Sequence, residues 1–138
     1  MLRALHIRLI RGLAAWYLES FGPRWGAAVI SPAKFSEYSM NPDHPSNGGK
    51  HLAFDALGWN VGDPLARETA AAEVIAQLRA GLPRPKLGVG DDEYGQRYRT
   101  EVVMVGPNGG QGSLVAIWQV DAGTVTPRLI TNWLEVHV

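Results

Sequence analysis

The spacing of hydrophobic residues changes once along this chain, and the change divides it into two parts. Up to about residue 80 the apolar positions recur at helical intervals. Leu2, Leu5, Leu9, Leu13, Trp16 and Tyr17 form a broad stripe in a basic segment, which predicts a helix docked on the rest of the domain. Gly22-Pro23 and Ser31-Pro32 punctuate its end and leave residues 25–30 as a short strand or connector. Residues 34–38 read as one or two helical turns opening at Pro32. Residues 41–49 are dense in turn formers and read as an ordered loop. A helix over residues 50–57 stops at Gly58. A second starts at Asp63-Pro64 and runs to about Leu78, with Ala66, Ala70, Val74 and Leu78 on one face.

Residues 81–95 read as a loop rich in proline, glycine and acid, and after it the period becomes two. Strands are predicted over 98–105, 113–120 and 127–136, joined by a glycine-rich hairpin loop and a tight turn at Asp121. On the last strand Leu129, Thr131 and Trp133 alternate with Ile130, Asn132 and Leu134. Helices followed by an antiparallel meander predict an α+β fold with the helices packed on one face of the sheet. Residues 1–30 are then an amphipathic helix and connector, and residues 31–138 the α+β domain.

Composition narrows the possibilities. With 138 residues and 46% hydrophobic positions, the chain is one domain's worth of core-forming polypeptide. The absence of cysteine excludes disulfides, thiolate zinc sites and a cysteine nucleophile. The formal net charge is zero, which argues against binding nucleic acid by bulk electrostatics while allowing a local basic site. Residues 1–30 hold four arginines against Glu19, or +3, leaving nine basic and twelve acidic side chains, or −3, in residues 31–138. The N-terminal segment is too charged to span a bilayer, so no stable membrane insertion is expected.

The candidate chemistry concentrates in one stretch. Asn41, Asp43, His44, Lys50 and His51 fall within eleven residues, close to Lys34 and Tyr38. A histidine exchanges protons near neutral pH, and a lysine opening a helix attracts phosphate. The spacing of His44 and His51 matches no zinc signature, so no metal and no cofactor are expected. The strands add Arg97, Tyr98, Arg99, Arg128 and Thr131, whose side chains would line a shallow groove on an uncovered sheet face.

The series Lys34, Tyr38-Ser-Met-Asn-Pro-Asp-His44-Pro, Gly-Gly-Lys50, Phe54, Leu57-Gly58, Tyr94-Gly95, Tyr98, Gly106-Pro-Asn-Gly109, Trp118 and Pro127-Arg-Leu-Ile-Thr131 resembles a small bacterial domain family of unassigned function. Members of that family occur alone or at the C-termini of polymorphic toxins, and the resemblance covers about residues 31–133. The layout also looks like the barnase–EndoU–colicin–RelE group of metal-independent ribonucleases. The resemblance implies an endoribonuclease toxin that cleaves RNA, tRNA first and rRNA second, by attack of the ribose 2′-hydroxyl on the adjacent phosphorus. His44 would be the acid/base, Lys50 would stabilise the phosphorane, Arg128 would anchor it and Thr131 would hydrogen-bond it. Lys34, Tyr38, Asn41, Tyr98 and Arg99 would bind substrate. It further implies a cytoplasmic site of action, delivery as part of a larger toxin, and a cognate immunity protein or antitoxin as partner. The competing expectation is a non-catalytic protein-binding module, such as an antitoxin, adaptor or phage accessory protein, in which Trp25 or Trp133 marks the interface. A third is action on membranes through residues 1–20.

Overall fold

A computed structural model describes residues 2–82 and 87–138, with side chains described over 12–82 and 88–138. The side chains of Leu2, Leu5 and Leu9 in the apolar stripe, and residues 83–86 of the proline-rich loop, therefore lie outside what is described. Helix α1 spans Leu2–Phe21, and a 3-10 turn follows at Trp25–Ala27. A π-helical turn covers Lys34–Ser39. Helix α2 is His51–Ala56 and α3 is Pro64–Gly81. Four strands complete the chain: β1 (Leu87–Asp92), β2 (Gly95–Val105), β3 (Gln111–Asp121) and β4 (Arg128–Val136). They form one antiparallel meander in the order β1-β2-β3-β4. The chain is thus α+β, helices first and sheet afterwards.

Two features differ from the sequence pattern. Strand β1 lies within the predicted 81–95 loop; Leu-Gly-Val-Gly-Asp-Asp lacks the apolar alternation of a strand, yet pairs with β2. In β4, Ile117 pairs with Thr131 while Trp118 pairs with Leu129, so Ile130 is an extra, bulged residue. The alternation reverses across it. Leu129 joins Asn132 and Leu134 among the buried residues rather than sharing a face with Thr131 and Trp133.

The core lies between the helices and the sheet. Strand β3 supplies Leu114, Ala116 and Trp118, α3 supplies Ala70, Val74 and Leu78, and Phe35, Met40 and Phe54 close the space between them. Burying that many large side chains supplies most of the stabilisation, at roughly 25 cal/mol per Å² of apolar surface. Fully buried Trp118 satisfies its indole N–H on Thr100 Oγ1 at 2.9 Å. Helix α3 begins as its sequence requires, with Asp63 accepting from the Ala66 N–H and Pro64 in the first turn.

Three contacts place the segments that surround β4. Val29 forms a parallel bridge to Arg128 at the sheet's β4 edge, so residues 25–30 are connector rather than a full strand. Trp25 packs edge-on against Trp118 and Tyr98, at 5.4 and 5.8 Å between ring centroids. The β2–β3 hairpin docks on the end of α2, where Asn108 takes the Leu57 and Ala56 carbonyls. That approach needs Gly106, because a Cβ there would lie 2.1 Å from the Leu57 oxygen. Over residues 12–21, helix α1 buries Ala14 but leaves Leu13, Trp16 and Phe21 more than half exposed.

Candidate functional site

The π-turn runs beside edge strand β4, and between them opens a cleft of about 420 Å³. Ser31, Lys34, Glu37, Tyr38, His44, Ile130 and Thr131 line it. The β4 bulge explains why neighbouring Ile130 and Thr131 both do so, since a regular strand would send them to opposite faces.

Tyr38 is the centre of this cleft. The Lys50 ammonium donates to its hydroxyl and lies 4.5 Å from the ring centroid. The His44 ring stands edge-on to it at 5.0 Å. The hydrogen bond from Lys50 holds the phenol below the ordinary tyrosine pKa despite the opposing effect of burial. The Thr131 hydroxyl and the positive charges of Lys50 and Lys34 act in the same direction as Lys50's bond. Every donor around the oxygen therefore favours its anionic form. A phenol so placed can act as a proton acceptor, and the two ammonium groups can hold an anion beside it.

His44 has a defined orientation. The Ser46 backbone N–H donates to its Nδ1 at 3.0 Å. A neutral ring that keeps this bond carries its proton on Nε2 and presents a hydrogen-bond donor.

The loop carrying these groups is built on asparagines. Asn41 Oδ1 accepts from Arg67 Nη1 at 2.5 Å and from the Asp43 N–H, while its Nδ2 reaches the Glu37 carbonyl. Asn41 is thus engaged in holding the loop. Asn47, 2% exposed, donates to the Tyr38 and Ser39 carbonyls and accepts from His51. Asn132, fully buried on β4, donates to the Lys34 carbonyl at 3.0 Å.

Of the residues singled out in sequence, the fold gathers Lys34, Tyr38, His44, Lys50 and Thr131. Arg128 does not line the cleft and is engaged bidentately with Asp121, at 2.8 and 3.0 Å. Arg99 pairs with Glu101 at 2.9 Å, and the Tyr98 hydroxyl bonds to Gln96. Burial, with Asp91 adding to it, pushes the Tyr98 phenol above its ordinary pKa, the reverse of Tyr38. Glu37, Asn47, Arg67 and Asn132 were not singled out. Asn47 sits in a Pro-Ser-Asn-Gly-Gly run that reads as any turn, and no local pattern marks Asn132. Among the described residues no cluster of histidines and carboxylates could hold a metal ion, and no helix is long and apolar enough to cross a membrane.

Fold and cleft together define an α+β domain with a cationic, tyrosine-centred cleft at the edge of its sheet. The family is shown by the sequence itself: residues 23–135 match the model described as "Domain of unknown function (DUF6883)", and the chain belongs to that family. No curated protein and no solved structure matches it.

Proposed function

We propose that this domain is a metal-independent endoribonuclease, of the kind used as a toxin, that cleaves RNA through attack of the ribose 2′-hydroxyl. The observation that supports the reading is the Tyr38 hydroxyl, surrounded by Lys50, Thr131 and Lys34 in an open cleft. The Tyr38 phenolate takes the 2′-hydroxyl proton, and the freed oxygen bonds to the adjacent phosphorus. Lys50 and the His44 Nε2–H neutralise and hydrogen-bond the phosphorane oxygens. In-line displacement puts the departing 5′-oxygen on the opposite side of phosphorus from the base. Lys34, the cation in the cleft lining, gives the proton to the 5′-oxygen as the P–O bond breaks. The products are a 2′,3′-cyclic phosphate and a 5′-hydroxyl, and exchange with water restores Tyr38 and Lys34. In this reading Tyr38 and Lys34 move the protons, and His44, its Nδ1 accepting from the Ser46 N–H, serves as a donor from Nε2.

The reading carries tRNA as first substrate and rRNA as second, action in the cytoplasm after delivery within a larger toxin, and an immunity protein that covers the cleft. The test is induction of the protein in growing cells, with total RNA on a denaturing gel. Growth arrest with discrete RNA fragments, abolished in folded Tyr38→Phe, Lys50→Ala and His44→Ala variants, supports it. Intact RNA and normal growth from well-expressed wild type overturn it. The competing reading, a non-catalytic protein-binding module, draws on exposed Leu13, Trp16 and Phe21. It expects a captured protein partner that Trp16→Ala releases and Tyr38→Phe does not.

A further inference from the structure

The residues that place Lys34 and Tyr38 are two buried asparagines at opposite ends of the π-turn. A π-turn closes hydrogen bonds that reach back five residues where an α-helix reaches back four; here the Met40 N–H bonds to the Phe35 carbonyl at 2.9 Å. Isolated π segments are uncommon because α geometry is available to the same chain. Something outside the turn must hold it.

Asn132 acts at the first end and Asn47 at the last. The Lys34 carbonyl accepts from Asn132 Nδ2 on β4 and from Ser39 Oγ. The Tyr38 and Ser39 carbonyls accept from Asn47 Nδ2. Asn132 is also chemically costly where it sits, because its buried Oδ1 has no partner among the described residues. A leucine would fill similar space without that orphaned oxygen. Core filling therefore does not account for an asparagine at this position, and its bond to Lys34 does. Reversion of the turn to α geometry would swing Tyr38 about the helix axis relative to Lys34 by roughly a fifth of a turn. That rotation would carry the hydroxyl away from Lys50 and Thr131.

We propose that Asn47 and Asn132 are positioning residues that lock the 34–39 segment in its π register, so that Tyr38 meets Lys50 and Thr131. Their importance for RNA cleavage rests on the function proposed above; their effect on Tyr38 does not. The test titrates Tyr38 by tyrosinate absorbance, as the difference between each protein and its own Tyr38→Phe counterpart. Asn132→Leu and Asn47→Ala are used because neither adds a charge near the phenol. In folded Asn132→Leu the proton affinity of Tyr38 should rise about tenfold, the scale of one charge-assisted hydrogen bond, with resistance to denaturant unchanged or improved. A solely structural asparagine would instead lose stability and leave the Tyr38 titration alone, and that result overturns the proposal. If both variants fail to fold, Ser39→Ala, which removes the other bond to the Lys34 carbonyl, must raise the affinity in the same direction, and an unchanged titration overturns the proposal. A tenfold rise in variants of a protein that cleaves no RNA keeps the lock and removes the ribonuclease reading.

Discussion

Lys34 and Lys50 at the π-turn cleft differ from Arg99 and Arg128 on the open sheet in what neutralises them, while Arg97, on the same sheet, donates to the Gln119 amide oxygen. On the sheet, Arg99 is bound to Glu101 and Arg128 to Asp121. Lys34 in the cleft lining and Lys50 beside Tyr38 have no carboxylate within ion-pair distance among the described residues, and Lys50 donates to a phenol. A guanidinium already paired with a carboxylate presents less net positive charge to a ligand. An ammonium held beside a tyrosine by loop geometry remains available, and it changes the acidity of its neighbour. The difference explains why a chain of zero net charge, negative over residues 31–138, still presents a local cationic site. Sequence counts sum these residues as equals; their partners separate them.

Removing one oxygen should have the largest effect. Tyr38→Phe keeps the ring that packs against His44 and should lower RNA cleavage by about 10²–10⁴-fold, the range for loss of a general base. Lys50→Ala comes next, at about 10²–10³-fold for loss of a donor aimed at developing negative charge. It also removes the largest cause of Tyr38's acidity, so the rising limb of the pH–rate profile should move to higher pH. Rates measured across a pH series with both variants check the two predictions together. If Lys50→Ala lowers the rate without moving that limb, Lys50 does not act on Tyr38.

On the sheet the effects should be small. Arg128→Ala and Arg99→Ala should each change cleavage less than about fivefold, since each removes a cation already paired. A loss from either that matches Lys50→Ala would place substrate on the open face and undo the contrast. The smallest effect concerns stability. The Arg128 hydrogen bond holds the Asp121 carboxyl below its ordinary value, so the unfolded chain binds that proton more readily than the folded one. The pair's contribution is therefore fully present above the ordinary carboxylate pKa of about 3.9 and lost as pH falls through the lower folded value. Both groups are about half exposed, which limits it to less than about 1 kcal/mol. Denaturant unfolding of wild type and Asp121→Asn between about pH 6 and pH 2 should show the gap closing as the solution is acidified.

The contrast also explains what the sequence disclosed. Helix α3 was readable because Asp63-Pro64 caps a run with Ala70, Val74 and Leu78 on one face, and local chemistry and burial agree. Strands β2, β3 and β4 were readable from alternation. Strand β1 was not, because glycines at 88 and 90 erase the pattern and pairing with β2 supplies what propensity lacks. Lys34, Tyr38, His44 and Lys50 were legible because chemically apt residue types crowd a short stretch that folds back on itself. Thr131 reaches them through a bulge that no residue type announces. The neutralisation of Arg128 by Asp121 depends on a turn that brings two strand ends together, and a strand pattern alone does not rank one partner over another. The π-turn is the least legible element, since Lys-Phe-Ser-Glu-Tyr-Ser could form an α-helical turn and its register depends on partners 8 to 98 residues away.

Tyr38-dependent transesterification is measured most directly with the purified chain, a chelator, and one RNA oligonucleotide made with and without a single 2′-deoxy substitution at its cleavage position. Cleavage should yield a 2′,3′-cyclic phosphate, persist in chelator, disappear at the 2′-deoxy position and fall with Tyr38→Phe. Intact RNA, cleavage at the 2′-deoxy position, or cleavage undiminished in Tyr38→Phe would contradict that mechanism.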